Sequence, residues 1–218
     1  MHKLRLVLFD VDGVLVDSLA AHLKICRDKN DEYGLGLEIP DETGFRQLVR
    51  SGTRISPMKN LFMAVGFPEE FADKATEDYR QSFRQDYPSG LFSGALETLR
   101  DLHQSGFLLG IVTGNVRANI TTTLRDGISY FSSECIYTED ELAGASKQQG
   151  IIRAMSRLQI APREAIFVGD QPADVIAAQA TGVQFLGVSY GWGISQDDKD
   201  FPVARSAPEI FDYIAELT

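Results

Sequence analysis

The chain has 218 residues, of which 44% are hydrophobic and 24% charged, and this composition excludes a disordered or a fibrous protein. Its 21 basic and 31 acidic residues give a formal charge of −10, which would repel the phosphate backbone of DNA or RNA. No apolar run approaches the roughly 20 residues of a membrane span, and the first residues lack the pattern of a signal peptide. We therefore expect a cytoplasmic globular protein that binds neither nucleic acid nor a membrane.

Apolar segments that end at a polar residue predict the strands of a buried parallel sheet. The first segment, Leu4 to Phe9, stops at Asp10, and two later segments stop before Thr113 and before Gly169-Asp170. The predicted strands are residues 4–9, 107–112, 135–137, 165–168 and 183–188. Amphipathic helix patterns lie between them and end at glycine or proline. This alternation predicts an α/β fold with a doubly wound parallel sheet and a Rossmann-like core, which binds ligands beyond the carboxyl ends of its strands.

Residues 17–87 interrupt the alternation with helix patterns and no convincing strand. We interpret this segment as an inserted helical cap, with residues 1–16 and 88–218 as the catalytic α/β core. Val16-Asp17 and Pro88-Ser89-Gly90 would connect the two parts. The alternative is that these helices cover one face of the sheet.

The segment Asp10-Val11-Asp12-Gly13 follows the first predicted strand. Residues i and i+2 of an extended segment point to the same side, so the two carboxylates would face one point. A carboxylate can attack phosphorus, and a second carboxylic acid can protonate the leaving oxygen and later deprotonate a water. We predict that Asp10 attacks and that Asp12 shuttles protons.

Phosphoryl transfer beside two aspartates also needs cations. Asp170 and Asp174 offer the missing metal ligands, and oxygen ligands of this kind select Mg²⁺. A second positive charge and donors to the phosphate oxygens are predicted from Lys147, Thr113 and the backbone amides of Gly114 and Asn115. Taken singly, each of these residues could be a turn residue, a helix cap or a solvated charge.

The joint order of these motifs resembles the haloacid dehalogenase superfamily, whose signature is DxDG after a strand, then Thr or Ser after a strand, then Lys, then GDxxxD after a strand. Residues 9–18, 113–115, Lys147 and 169–174 match it in that order. The resemblance implies a nucleophile at Asp10, an acid/base at Asp12, and phosphate contacts from Thr113 and Lys147. It also implies Mg²⁺ held by Asp10, the Asp12 carbonyl and Asp170. Asp174 would then support the metal ligands without binding the metal, or would orient Lys147.

The inserted helices resemble the cap of the phosphoglycolate phosphatase and beta-phosphoglucomutase branch of that superfamily. Residues 188–193 resemble a strand end of the phosphoglycolate phosphatase group, although Gln148 stands where many relatives have proline. This resemblance implies a Mg²⁺-dependent phosphatase for a small phosphorylated metabolite, either phosphoglycolate-like or a sugar phosphate. A mutase uses the same aspartates and stays open, as does a non-catalytic phosphate-ligand binding protein. Monomer and homodimer both stay open.

Within the predicted cap, Arg54 is our candidate for a contact with an anionic group of the substrate, with Arg50 and Lys59 as the next candidates. Solvated helix charges are the alternative interpretation of all three. His22 fits no metal-ligand spacing, and we interpret it as a helix residue without a catalytic role. Trp192 is expected to pack near the edge of the core.

Overall fold

The structure is a computed structural model, and it describes residues 3–217 apart from the side chains of residues 82–84. Met1, His2 and Thr218, which the sequence analysis assigns to the core, lie outside the described residues. The strands are β1 (Leu6–Phe9), β2 (Val16–Asp17), β3 (Gly90–Leu91), β4 (Leu108–Val112), β5 (Ile136–Tyr137), β6 (Ala165–Gly169), β7 (Gln184–Val188) and β8 (Val203–Ala204). The helices are α1 (Leu19–Tyr33), α2 (Glu42–Arg50), α3 (Met58–Ala64), α4 (Glu69–Asp86), α5 (Ala95–Gln104), α6 (Arg117–Leu124), α7 (Glu139–Leu142), α8 (Lys147–Leu158), α9 (Pro172–Thr181) and α10 (Ala207–Glu216).

Within residues 3–217, six parallel strands form one sheet in the order β5-β4-β1-β6-β7-β8. Strand β1 lies between β4 and β6, with Leu6 opposite both Leu108 and Ala165. The chain passes to one side of β1 for β4 and β5 and to the other side for β6 to β8, so β1 ends at a point where the strand order reverses. Ligands of open parallel sheets bind at such points. The α/β prediction is confirmed.

The two faces of the sheet explain why β1 is a continuous apolar run. Val7 and Phe9 pack with residues of α5, α6 and α10 on one face, and Leu6 and Leu8 pack with α8 and α9 on the other. All four side chains have no exposed surface, as expected for a central strand covered on both sides. No helix of the described residues has the length and apolar character needed to cross a membrane.

Helices α1 to α4, which we call the helical unit, lie between β2 and β3. These two short strands pair antiparallel, with Val16 opposite Leu91 and Asp17 opposite Gly90, so the chain leaves and returns side by side. The unit has its own apolar cluster, which includes Phe45, Leu61 and Phe62, and Trp192 from the chain after β7 joins it. The division into a core and a cap at residues 17 and 87 stays a prediction.

Candidate active site

Asp10 is the first residue beyond β1. Its backbone N–H continues the sheet ladder to the Val168 carbonyl at 2.9 Å, which fixes the chain at the strand end. The Asp10 side chain is buried, with Oδ1 accepting from the Val11 N–H at 2.8 Å and Oδ2 accepting from Lys147 Nζ at 2.5 Å. The rigid strand therefore presents one buried carboxylate at the reversal point of the sheet.

Asp12 lies two residues further on and is held by two donors. Ser18 Oγ donates to its Oδ1 at 2.6 Å, and Asn115 Nδ2 donates to its Oδ2 at 2.7 Å. Gly13 then adopts a φ of +80°, and a Cβ at this residue would lie 2.1 Å from Asp170 Oδ2. A glycine is required here both for the turn and for the close approach of Asp170.

Thr113, Gly114 and Asn115 follow β4, the strand next to β1. Thr113 is buried, and its N–H donates to the Tyr137 carbonyl at 3.0 Å. A Cβ at Gly114 would lie 1.9 Å from Ser56 Oγ of the loop between α2 and α3. The helical unit therefore rests directly on this loop of the sheet.

Lys147 is the first residue of α8 and is almost entirely enclosed. Its ammonium contacts Asp10 Oδ2 at 2.5 Å and Asp174 Oδ1 at 2.7 Å. Burial on its own lowers the pKa of a lysine, but the Asp10 and Asp174 carboxylates outweigh it and raise the pKa of Lys147 well above its usual range. The residue is therefore a fixed positive charge at every working pH.

Asp170 and Asp174 follow β6, the other neighbour of β1. Both oxygens of Asp174 are engaged, since Oδ1 contacts Lys147 and Oδ2 accepts from the Asp170 and Gln171 N–H groups at 3.1 Å. Asp170 Oδ2 accepts from the Trp192 N–H at 2.7 Å. Asp170 Oδ1 is buried and has no hydrogen-bond partner among the described residues.

This unpartnered oxygen lies in a cluster that suits a hard divalent cation. Oxygens of Asp10, Asp170 and Asp174 all lie within 4.8 Å of one another, and Lys147 contacts two of these three carboxylates, those of Asp10 and Asp174. Burial, followed by the charges of Asp174 and Asp10, raises the pKa of Asp170 well above its usual range. A cation bound between Asp10 and Asp170 would offset the repulsion between these buried carboxylates. Asp174 is less suited as a ligand, because its Oδ1 already contacts Lys147.

A cavity opens beside these groups, between the sheet and the helical unit. Six of the residues predicted from the sequence line it together: Asp10, Asp12, Thr113, Gly114, Asn115 and Lys147. Asp170 and Asp174 lie behind this lining. The remaining lining residues are His22, Ile55, Ser56, Met58, Leu61, Tyr79, Gln171 and Trp192.

The sequence analysis did not identify His22, Tyr79 and Trp192 as residues of the cavity. His22 Nδ1 lies 2.8 Å from the Ser18 carbonyl, and its ring meets Trp192 edge-on at 5.1 Å and Tyr79 at 5.9 Å. These residues are distant in the chain, so no local spacing marks them as one wall. One signal was available for Trp192, which lies in the strand-end motif at residues 188–193.

Arg54 lies on the loop between α2 and α3, and its side chain is exposed. The next two residues, Ile55 and Ser56, line the cavity, but Arg54 does not. Arg50 is exposed at the end of α2, and Lys59 pairs with Asp73 at 2.7 Å. A substrate contact from Arg54 stays a prediction.

Comparison with known proteins identifies the class to which this fold and site belong. A family model described as "Haloacid dehalogenase-like hydrolase" matches residues 7–188. A phosphoglycolate phosphatase of Nitrosococcus oceani is 34% identical over 90% of this chain and 88% of its own. An N-acetylmuramic acid 6-phosphate phosphatase of Pseudomonas putida is 27% identical over 99% and 95%. The crystal structure of "a predicted phosphatase from Clostridium acetobutylicum" has a TM-score of 0.79 and 28% identity, covering 99% of this chain and 100% of its own.

The chain belongs to the haloacid dehalogenase-like hydrolase family, in its phosphoglycolate phosphatase-like branch. It is accordingly a phosphoric monoester hydrolase, as the resemblance of its motifs implied.

Proposed function

We propose that the chain is a Mg²⁺-dependent phosphatase that hydrolyses a small phosphate monoester through an aspartyl-phosphate on Asp10. The observation that carries the proposal is the placement of Asp10, Asp12, Thr113 and Lys147 around one cavity at the reversal point of the sheet. A nucleophile, an acid/base and two phosphate-binding side chains thus face the same space.

The metal site of the proposal consists of Asp10, Asp170 and the backbone carbonyl of Asp12. The unpartnered buried oxygen of Asp170 and the excess of carboxylates over Lys147 support a cation at this point. When bound, Mg²⁺ supplies positive charge that offsets the repulsion between the substrate phosphate and the aspartates. Asp174 is assigned the role of orienting Lys147, because its oxygens are occupied by Lys147 and by backbone N–H groups.

The chain's own residues account for two displacements at phosphorus. In the first, the Asp10 carboxylate attacks phosphorus, the bond to the leaving oxygen breaks, and protonated Asp12 gives its proton to that oxygen. In the second, a water attacks the same phosphorus, Asp12 takes the proton of the water, and Asp10 is released. Lys147, Thr113 and the backbone amides of Gly114 and Asn115 hold the phosphate oxygens through both steps.

The substrate side of the cavity carries apolar side chains and one cation, which narrows the substrate to a class. Ile55, Met58 and Leu61 of the helical unit form an apolar wall, and Lys147 is the only lysine or arginine among the described residues that line the cavity. The two relatives are named for different phosphate esters, phosphoglycolate and N-acetylmuramic acid 6-phosphate. We therefore propose a substrate class, phosphoglycolate-like or sugar phosphate, and no single metabolite.

The proposal is tested by measuring phosphate release from a panel of phosphorylated metabolites with Mg²⁺, and again after chelation and readdition of Mg²⁺. We expect turnover of at least one small phosphate ester, its loss with the chelator and its return with the metal. Turnover that persists in the chelator would contradict the role of Mg²⁺. Isomerisation of a sugar phosphate without phosphate release would indicate the mutase.

A further inference from the structure

Tyr79 reaches the site from helix α4. Its hydroxyl donates a hydrogen bond to Asn115 Oδ1 at 3.0 Å, and its side chain is only 3% exposed. Tyr79 belongs to the helical unit whereas Asn115 follows β4, so this bond joins the two parts of the molecule at the cavity. The next helix residue, Arg80, pairs with Glu139 of the other part, so one turn of α4 makes two polar contacts across the boundary.

Asn115 passes this contact on to Asp12. The Val116 N–H, which can only donate, lies 2.7 Å from Asn115 Oδ1 and so fixes the oxygen on that side of the amide. The amide nitrogen consequently faces Asp12 and donates to its Oδ2 at 2.7 Å. Because the amide is planar, a donor that holds its oxygen also sets the direction of its N–H groups.

We propose that Tyr79 is a positioning residue for proton transfer: it holds the Asn115 amide in the orientation that aims Asp12 at the leaving oxygen. This inference rests on the proposed role of Asp12 as the acid/base. Ser18, which precedes α1, donates to the other oxygen of Asp12. The carboxyl group is therefore held by Ser18 beside the first helix of the helical unit and, through Asn115, by Tyr79 of the last. Asn115 Oδ1 also accepts from Asn119 Nδ2 at 3.1 Å and from the Val116 N–H, so loss of the Tyr79 hydroxyl would loosen the Asn115 amide without releasing it.

A misaligned acid affects only those reactions that need its proton. An alkyl phosphate expels a poor alkoxide leaving group, whereas 4-nitrophenyl phosphate expels a stable anion that needs no protonation. The value of kcat/KM reports the steps up to the first irreversible one, so it is insensitive to slow hydrolysis of the aspartyl-phosphate. The ratio of kcat/KM for the two esters therefore measures the alignment of Asp12.

The test compares Tyr79→Phe with wild type on 4-nitrophenyl phosphate and on the best alkyl phosphate of the panel. Phenylalanine keeps the ring that packs near His22 and removes only the hydroxyl. We expect kcat/KM to fall about 3- to 10-fold for the alkyl ester, the effect of one lost hydrogen bond, and by less than about 2-fold for the aryl ester. Tyr33→Phe is the matched control, because it removes a hydroxyl that contacts Asp78 outside the cavity, and it should alter neither rate.

Two further variants separate the possible failures. In an Asn115→Ala background, Tyr79→Phe should have no additional effect on the ratio, because the two residues act through one chain of contacts. If Asp12→Asn shows the dependence on the leaving group and Tyr79→Phe does not, the inference is wrong and the proposed function stands. If Asp12→Asn itself lowers both rates equally, the acid/base role fails and the inference fails with it. Equal losses of kcat/KM for Tyr79→Phe on both esters would mean that the hydroxyl only stabilises the structure, and the inference would be wrong.

Discussion

Lys147 Nζ lies 2.5 Å from Asp10 Oδ2; the Asp10 side chain is buried, and that of Lys147 is 13% exposed. The pair forms because α8 begins at Lys147 beside the end of β1, where Asp10 leaves the sheet. Asp10, Asp170 and Asp174 form one cluster of carboxylates, and the single ammonium of Lys147, which contacts Asp10 and Asp174, leaves an excess of negative charge there. A buried excess of this kind is costly unless a cation is bound.

Asp170→Asn should stabilise the metal-free protein and abolish its response to Mg²⁺. The amide removes one of three buried like charges while keeping an oxygen for the Trp192 N–H, so we expect Tm without metal to rise by about 2–4 °C. Mg²⁺ should raise the Tm of wild type, since it binds the folded state, and should leave that of the variant unchanged. Asp126→Asn, at an exposed aspartate, is the control. An unchanged response of Asp170→Asn to Mg²⁺ would show that the cation site lies elsewhere.

Gly114→Ala should impair turnover by displacing the loop that carries Ser56. The added Cβ would lie 1.9 Å from Ser56 Oγ and 3.2 Å from Ser56 Cβ, so the hydroxyl must rotate away and the Ser56 loop must shift slightly, and we expect kcat/KM to fall about 3- to 10-fold. Ser56→Ala in the same chain removes the nearest atom and should restore part of the rate. Gly90→Ala, where a Cβ meets nothing within 4 Å, should have little effect. Failure of Ser56→Ala to restore any activity would argue against this contact in solution.

Arg54→Ala should have a small effect that depends on salt. The side chain is exposed and lies outside the lining of the cavity, so its charge acts on an anionic substrate through solvent. We expect kcat/KM for a carboxylated phosphate ester to fall by less than about 5-fold at low salt and not at all at high salt. A loss above about 10-fold that persists at high salt would instead demonstrate the direct contact predicted from the sequence.

Glu141 stabilises the segment between β5 and α8, and its contribution to the stability of the fold should vanish in acid. Burial raises the pKa of Glu141, but hydrogen bonds from the Thr138 hydroxyl and N–H and from Arg117 outweigh it and hold this pKa below its ordinary value. A lowered pKa stabilises the fold above the ordinary value of 4.5 and ceases to do so as the pH falls through the pKa of the folded state. Glu141→Gln should therefore lower Tm by about 2 °C at pH 7, and the difference should shrink below pH 4.5.

The control for this prediction is Glu97→Gln, because Glu97 is exposed on α5. Its Tm difference from wild type should stay small at both pH values. A Glu141→Gln difference that is constant with pH would mean that the carboxylate charge does not contribute.

The sheet could be predicted from the sequence because each buried parallel strand is a continuous apolar run. The run ending at Asp10 became β1, and all five predicted strands are present within two residues at either end. Short elements whose stability comes from tertiary contact were not predicted. Strands β2 and β3, with two residues each, exist only because the two ends of the helical unit meet.

The same distinction applies to the cavity. Asp10, Thr113 and Lys147 come directly after strands or at a helix start, so their place in the chain indicates their place in the site. Tyr79 lies in the middle of α4 and His22 in the first turn of α1, and an aromatic side chain within a helix is typical of a packed core. Their position at the cavity depends on how α1 and α4 dock against the sheet, which no local pattern encodes.

Phosphate release by Asp10→Asn, measured beside wild type and Asp126→Asn with Mg²⁺ present, tests the role of Asp10 most directly. Asparagine has nearly the same shape as aspartate but lacks the nucleophilic charge, so the folded variant should lose roughly 10³-fold or more of kcat while Asp126→Asn keeps the wild-type rate. A folded Asp10→Asn protein that hydrolyses the substrate within about 10-fold of the wild-type rate would contradict the aspartyl-phosphate mechanism and require another nucleophile.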